Sequence, residues 1–332
     1  MKTYLPYSLI LAAAASGMAF AAETAYTIPV GYATNTLQPN RFNLLGLTLQ
    51  KATVTAGILD SASATSVTDA GVNFTTTLTA GNQYVLELTN GAGNGTVQLI
   101  SSWTANTLNT PDNISLSVVA NVTTYRIRGV ATVSDIFGAT NSAGLTASTD
   151  GDFTIVDRIL ILNDAGSFDT VYYFNDGAGS QGWFDVNGNP AQNKAIIYPD
   201  GFYVQRVAGA VLSLVVSGEV KTTQTKGVLT PGFNYLSSVA PVGLTLGTSG
   251  LQNSISQSSD GDFSIVDNVL IPLPTGAFRT TYYFNDGLGT QGWFDADGLS
   301  VDSLEITPGF LVQNRGATKS VTVGVPAFYS TL

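Results

Sequence analysis

The sequence predicts an all-β protein of two homologous β-sandwich-like domains, the first interrupted by a small β-barrel or sandwich insert. Three observations carry this. Residues 150–188 recur at 260–298 without a gap: DGDFTIVDRILILNDAGSFDTVYYFNDGAGSQGWFDVNG against DGDFSIVDNVLIPLPTGAFRTTYYFNDGLGTQGWFDADG, with 25 of 39 positions identical. Short runs such as Tyr84–Leu88, Thr170–Phe174 and Val321–Val323 alternate apolar and polar residues between Gly, Asn, Asp and Pro clusters. Beyond the N-terminal segment no apolar stripe of helical period appears, and the Lys, Glu and Arg that fill exposed helix faces are scarce.

Residues 1–21 read as an export signal. Lys2 gives a positive start, Leu9 to Ala15 an apolar stretch, and Ala19-Phe20-Ala21 a small-x-small cleavage site. The apolar stretch is shorter than the roughly 20 residues a spanning helix needs, and no later run is long enough. No cysteine follows the cleavage site, which excludes lipid attachment there. The expected location is extracellular, on the cell surface or in the periplasm of a bacterium.

The first repeat is assigned to 22–50 plus 127–222 and the second to 223–332. Leu37-Gln38-Pro39 with Phe42–Leu45 resembles Leu229-Thr230-Pro231 with Phe233–Leu236. Gly144-Leu145 matches Gly250-Leu251, and Asp200–Gln205 matches Pro308–Gln313. The second copy runs directly from Leu236 to Gly250, whereas the first travels from Leu45 to Gly144, so 51–126 is read as an inserted β domain. Within it, Asn90–Gly95 supplies a tight turn between two strands.

Composition narrows the function. With no Cys and no His there is no disulfide framework, no Cys/His metal site, no Ser-His-Asp triad and no Cys-His pair. A net charge of −10 with only 13 scattered Lys and Arg argues against nucleic acid.

The repeated Asp residues are the first candidate site. Asp150, Asp152 and Asp157 recur as Asp260, Asp262 and Asp267. Clustered carboxylates are what Ca²⁺ takes as ligands, so these six are the candidate calcium residues and Ca²⁺ the one candidate cofactor. Against this, Asp-Gly and Asn-Gly pairs are turn formers in their own right. The aromatics are the second candidate. In Tyr172-Tyr173-Phe174 alternate side chains point to opposite faces. If the flanking rings and Trp183 fill the core, Tyr173, and likewise Tyr283, turns outward or to the domain junction as a glycan contact. Carboxylate hydrolysis is the third. No Asp-Thr-Gly or Asp-Ser-Gly occurs, and Asp169-Thr170, the nearest match, has Arg279 opposite it in the second copy. The short, Gly-punctuated strands also argue against an outer-membrane barrel.

On Pro29-Val30-Gly31-Tyr32, the Val156-Asp157 to Leu160-Ile161 segment, the Tyr-Tyr pair, the Gly-Trp and the Gly-Phe-x-Val strand, the chain resembles a family of exported, conserved hypothetical bacterial proteins. That resemblance implies export and repeated β domains and no activity. On Gly91-x-Gly93-x-Gly95, Ala105–Leu108 and Tyr125-x-Ile127, the insert is similar to small β modules of phage tail-fibre-like and surface proteins. The expected function is therefore a non-enzymatic structural or adhesive protein of the cell surface, an extracellular matrix or an appendage. Self-association or a surface glycan would be its partner. A glycan-binding module is the alternative, and a carboxylate-dependent hydrolase the second alternative.

Overall fold

The computed structural model describes residues 29–163 and 165–331. The export signal read over 1–21 lies outside them. The chain opens with β1 (Val30–Leu37) and β2 (Arg41–Gly46). It then runs through β3 (Thr53–Ile58), β4 (Ser61–Ala62), β5 (Ser66–Thr68), β6 (Tyr84–Leu88), β7 (Val97–Leu99), β8 (Ser102–Trp103), β9 (Thr107–Asn109) and β10 (Thr124–Gly129). The two-residue β11 (Ala131–Thr132) and a short helix, α1 (Val133–Phe137), lead into β12 (Arg158–Leu162), β13 (Phe168–Asn175) and β14 (Gln181–Asp185). β15 (Ala195–Ile196), β16 (Gly201–Arg206) and β17 (Leu212–Glu219) follow. The second copy contributes β18 (Thr225–Leu229), β19 (Gly232–Ser237), β20 (Asn268–Pro272), β21 (Phe278–Asn285), β22 (Gln291–Asp295), β23 (Gly309–Asn314) and β24 (Lys319–Val323). Among the described residues no helix is long and apolar enough to cross a membrane.

The fold is all-β and sandwich-like, and the two copies share one topology. Their five-stranded antiparallel sheets have the orders β14-β13-β12-β16-β2 and β22-β21-β20-β23-β19, which are equivalent strand for strand. Each is covered by a two-stranded ribbon, β1–β17 in the first copy and β18–β24 in the second. Period-2 alternation decides what fills the space between ribbon and sheet. In β12, Ile159 and Ile161 point inward and meet Leu37 and Leu214 of the ribbon; in the second copy Val269 and Ile271 meet Leu229 and Val321. Trp183 and Trp293, one per copy, are buried in these cores. The corner before β2 is also copied. The Asn43 side chain accepts from Gln38 N–H and donates to the carbonyls of Gln38 and Val204, and Asn234 makes the same bonds with Thr230 and Val312.

The inserted segment is a small sandwich of two four-stranded sheets, β3-β10-β6-β7 and β4-β5-β9-β8, around Leu59, Phe74, Leu86, Leu88, Tyr125 and Ile127. Strand β10 runs through the 126/127 division drawn from the sequence. Strand β6 is buried along its whole length, because both of its faces are covered. Leu86 and Leu88 face the core of the insert, while Val85 joins the core of the first repeat.

The two repeats meet reciprocally. A Cβ added to Gly309 would lie 2.6–2.8 Å from the Leu45 backbone, and one on Gly201, its equivalent, 3.0 Å from the carbonyl oxygen of Leu236, the equivalent of Leu45. At this corner the sheets touch backbone to backbone. Away from it, Phe168, Tyr203 and Tyr235 fill the junction, with Tyr203 and Tyr235 5.5 Å apart and nearly perpendicular.

Candidate functional site

The six candidate calcium carboxylates are not brought together. Among the described residues no three acidic side chains gather as a metal ion would require. Asp150 accepts from Ser148 Oγ and Asp152 N–H, and Asp260 accepts from Ser258 Oγ and Asp262 N–H, at the same distances of 3.2 and 3.0 Å. Asp152 and Asp262 accept from the amides of Thr154 and Ser264, both at 2.8 Å. The hydroxyls of Thr154 and Ser264 first, and these amides second, favour the ionised form and hold both carboxyls below their ordinary range. This is the hydrogen-bonding of turns.

Asp157 and Asp267 have a different task. Both are buried behind the loops, and each accepts two backbone N–H groups, from Thr146 and Val207 in one copy and Ser256 and Arg315 in the other. A buried carboxylate needs a cation, and each copy supplies one from a different position. Arg206 Nε lies 2.8 Å from Asp157 and also donates to the carbonyls of Leu37, Ala208 and Ala210. Its equivalent, Asn314, keeps the carbonyl bonds, to Leu229 and Ala317, but has no charge. Lys319, from β24, pairs with Asp267 instead. Burial works against the Asp267 charge, yet Lys319 and the two amides hold its carboxyl below the ordinary range. The positive charge at these Asp residues is thus the protein's own. The melting temperature is accordingly expected to be the same in millimolar Ca²⁺ and in excess chelator, by calorimetry; a rise with Ca²⁺ would restore the calcium assignment.

The outward placement of Tyr173 and Tyr283 needs correction. Tyr173 is 3% exposed and stacks edge-on against Trp183 at 5.0 Å, with its hydroxyl donating to Gln181 Oε1. Tyr283 is partly buried against Trp293 at 5.5 Å. The reason is register. Tyr173 lies directly opposite Trp183, and Tyr283 opposite Trp293, so each pair shares a face and the tryptophan takes its tyrosine into the core. The flanking Tyr172 and Tyr282 turn to the other face, under Phe153 and Phe263.

Two clusters escaped the reading of the sequence. One is a buried charge network where the insert meets the repeats. Glu87 of β6 lies 2.7 Å from Lys221 Nζ and 3.6 Å from Arg128 Nε, and all three side chains are fully enclosed. Arg128 also pairs with Glu219, which accepts from Thr53 N–H at 3.0 Å. Thr223 Oγ1 donates to Glu87 at 2.9 Å. Burial would raise the Glu87 carboxyl, but Lys221 and Arg128 overcome it and hold it below its ordinary value. The signal was present as a lone charge in the apolar run Tyr84–Leu88.

The other is an open groove of about 990 Å³ between the repeats. Leu44, Leu160, Tyr203, Phe42, Phe168 and Phe278 line it, together with the turn Pro272–Gly276 of the second repeat. Burial and the neighbouring Tyr235 push the Tyr203 hydroxyl up to about 12, so it stays a neutral hydrogen-bonding group. Arg41 reaches across and donates through Nη1 to the Pro274 carbonyl. Among the described residues no Asp or Glu lines it. A second, more polar cleft contains Asp169 and Asp185, but Lys194 binds Asp169, and Asn187 and Asn189 N–H groups bind Asp185. No family model, curated protein or solved structure matches this chain.

Proposed function

We propose that this is an exported, non-enzymatic protein serving as a structural or adhesive component of the cell surface, an extracellular matrix or an appendage. One observation carries the reading: four of the buried carboxylates, Glu87, Asp157, Glu219 and Asp267, each bind a cation of the same chain, and among the described residues the groove between the repeats is lined by no carboxylate. General acid–base and glycosidase chemistry both need carboxylates that face a substrate; here they brace one layer against another. The export signal read over 1–21 and the resemblance to exported bacterial proteins support the location. A glycan-binding module is the second reading. The groove favours it, with the ring surface moved from Tyr173 and Tyr283 to Phe42, Phe168, Tyr203 and Phe278.

Fractionation of expressing cells tests the first reading. The protein is expected in the surface or matrix fraction, and the purified chain is expected to release no product from a panel of polysaccharides. Recovery as a free monomer in the culture fluid, with hydrolytic activity on one of them, overturns it.

A further inference from the structure

We propose that the groove between the repeats binds an acidic, uronate-type saccharide whose carboxylate sits on Arg41; this rests on reading the chain as a binding protein and not a catalyst. The charge of the groove is the first argument. Among the described residues Arg41 is the only Asp, Glu, Lys or Arg lining it, in a chain of net charge −10. Its one hydrogen bond goes to a neutral carbonyl, and its Nε has no acceptor. A carboxylate accepting from the side of the guanidinium that Pro274 leaves open would supply the missing charge.

The walls are the second. Phe42 is 52% exposed and stands edge-on to Tyr203 at 5.8 Å, which leaves ring surface free for the C–H face of a pyranose. Thr34, Thr36, Asn40 and Thr275 are exposed around the rim and offer hydroxyl and amide groups to sugar hydroxyls. A lipid chain would leave that rim unpaired. A nucleic acid would need clustered cations, where one arginine stands. The volume lies at the upper end of the range for small-ligand pockets.

The third argument is that this site breaks the symmetry of the copies. Arg41 pairs across β2–β16 with Arg206, and the corresponding pair in the second repeat is Gly232 with Asn314. The groove wall Pro272–Thr275 likewise stands where the first repeat has an unrelated Leu-Asn-Asp-Ala. Elsewhere the duplication kept core and corners; here it replaced the chemistry.

The test is calorimetric titration of the full chain with tetragalacturonate, a carrageenan-derived sulfated tetrasaccharide that carries no carboxylate, and cellotetraose. Tetragalacturonate is expected to bind, and the other two roughly ten-fold or more weakly, because only the carboxylate fits the fork. Arg41→Gln and Phe42→Ser should each weaken uronate binding roughly ten-fold, while Arg279→Gln, outside the groove, leaves it unchanged. Phe42 is an exposed side chain, so its variant keeps the test valid if Arg41→Gln disturbs the Pro274 contact. Absence of uronate binding, preference for the sulfated or neutral ligand, or binding unchanged in both groove variants overturns the assignment. Cleavage of the tetragalacturonate would overturn the non-enzymatic reading instead. A chain that fractionates with the cell surface and binds no saccharide would lose the groove assignment alone.

Discussion

Glu87→Gln is expected to destabilise the protein by about 3–5 kcal/mol, the range for breaking a buried ion pair from one side. The substitution preserves shape and removes one charge. Lys221 and Arg128 would remain fully enclosed with only Glu219 between them, whereas the native network balances Glu87 and Glu219 against Arg128 and Lys221. Lys221 would keep its bonds to the carbonyls of Thr223 and Gln224, at 2.8 and 2.6 Å, but carbonyls do not neutralise an ammonium. Denaturant melts of the single variant and of Glu87→Gln/Lys221→Met separate the causes. If the loss comes from the stranded cation, the double variant recovers a large part of it, since replacing a whole buried pair is often close to neutral. An equally unstable double variant would assign the loss to packing.

The same network sets an acid limit. The Glu87 carboxyl is held below its ordinary value in the folded chain, as are those of Glu219 and Asp267. Groups lowered in this way contribute stability that is fully present above their unfolded values, roughly pH 4, and is lost as pH falls through the lower folded values. Wild-type stability should therefore fall as pH drops below about 4, and Glu87→Gln should show a shallower fall because one linked proton has been removed.

Much of the scaffold was legible because the chain carries two versions of it. Trp183 and Trp293, the Tyr-Tyr runs and the Asn-Gly and Asp-Gly corners mark equivalent strands, and the two sheets share one order. What alternation leaves open is which face turns inward. Tyr173 sits on the inner face because its cross-strand partner is Trp183, and that pairing is a matter of register between two strands. The all-buried β6 illustrates a second limit. Its Glu87 looks solvent-facing in an amphipathic strand, and becomes interior only because the first repeat covers the outer face of the insert. The groove is hidden for a third reason. Its walls come from residues far apart in the sequence and at positions where the copies differ, so the repeat that exposes the scaffold gives no sign of Arg41.

Gly46→Ala is expected to cost about 1–3 kcal/mol or more, the range for overpacking a filled interior, and to separate the unfolding of the two repeats. Gly46 lies where the sheets touch, and an added methyl would fall inside contact with the Pro308 carbonyl oxygen and the Ser237 hydroxyl. Gly309→Ala meets the Leu45 backbone at 2.6–2.8 Å, and Gly201→Ala meets the Leu236 carbonyl oxygen at 3.0 Å. Backbone atoms cannot rotate aside as a side chain can, so the expected order of damage is Gly46, then Gly309, then Gly201. None of the three has a positive φ, so the requirement is for space and not for an unusual backbone. Each repeat has its own ribbon-covered core, with Val239 of the second repeat reaching into that of the first. Loosening the corner should therefore leave both cores folded and convert one calorimetric transition into two. A single transition shifted downward would mean that the insert, which contacts the second repeat through Gly95 and Lys226, holds the halves together without the glycine corner. Because Phe42 and the Pro272–Gly276 wall belong to different repeats, the same variants should also widen the groove, so weakened uronate binding is expected to follow the same order as the stability loss.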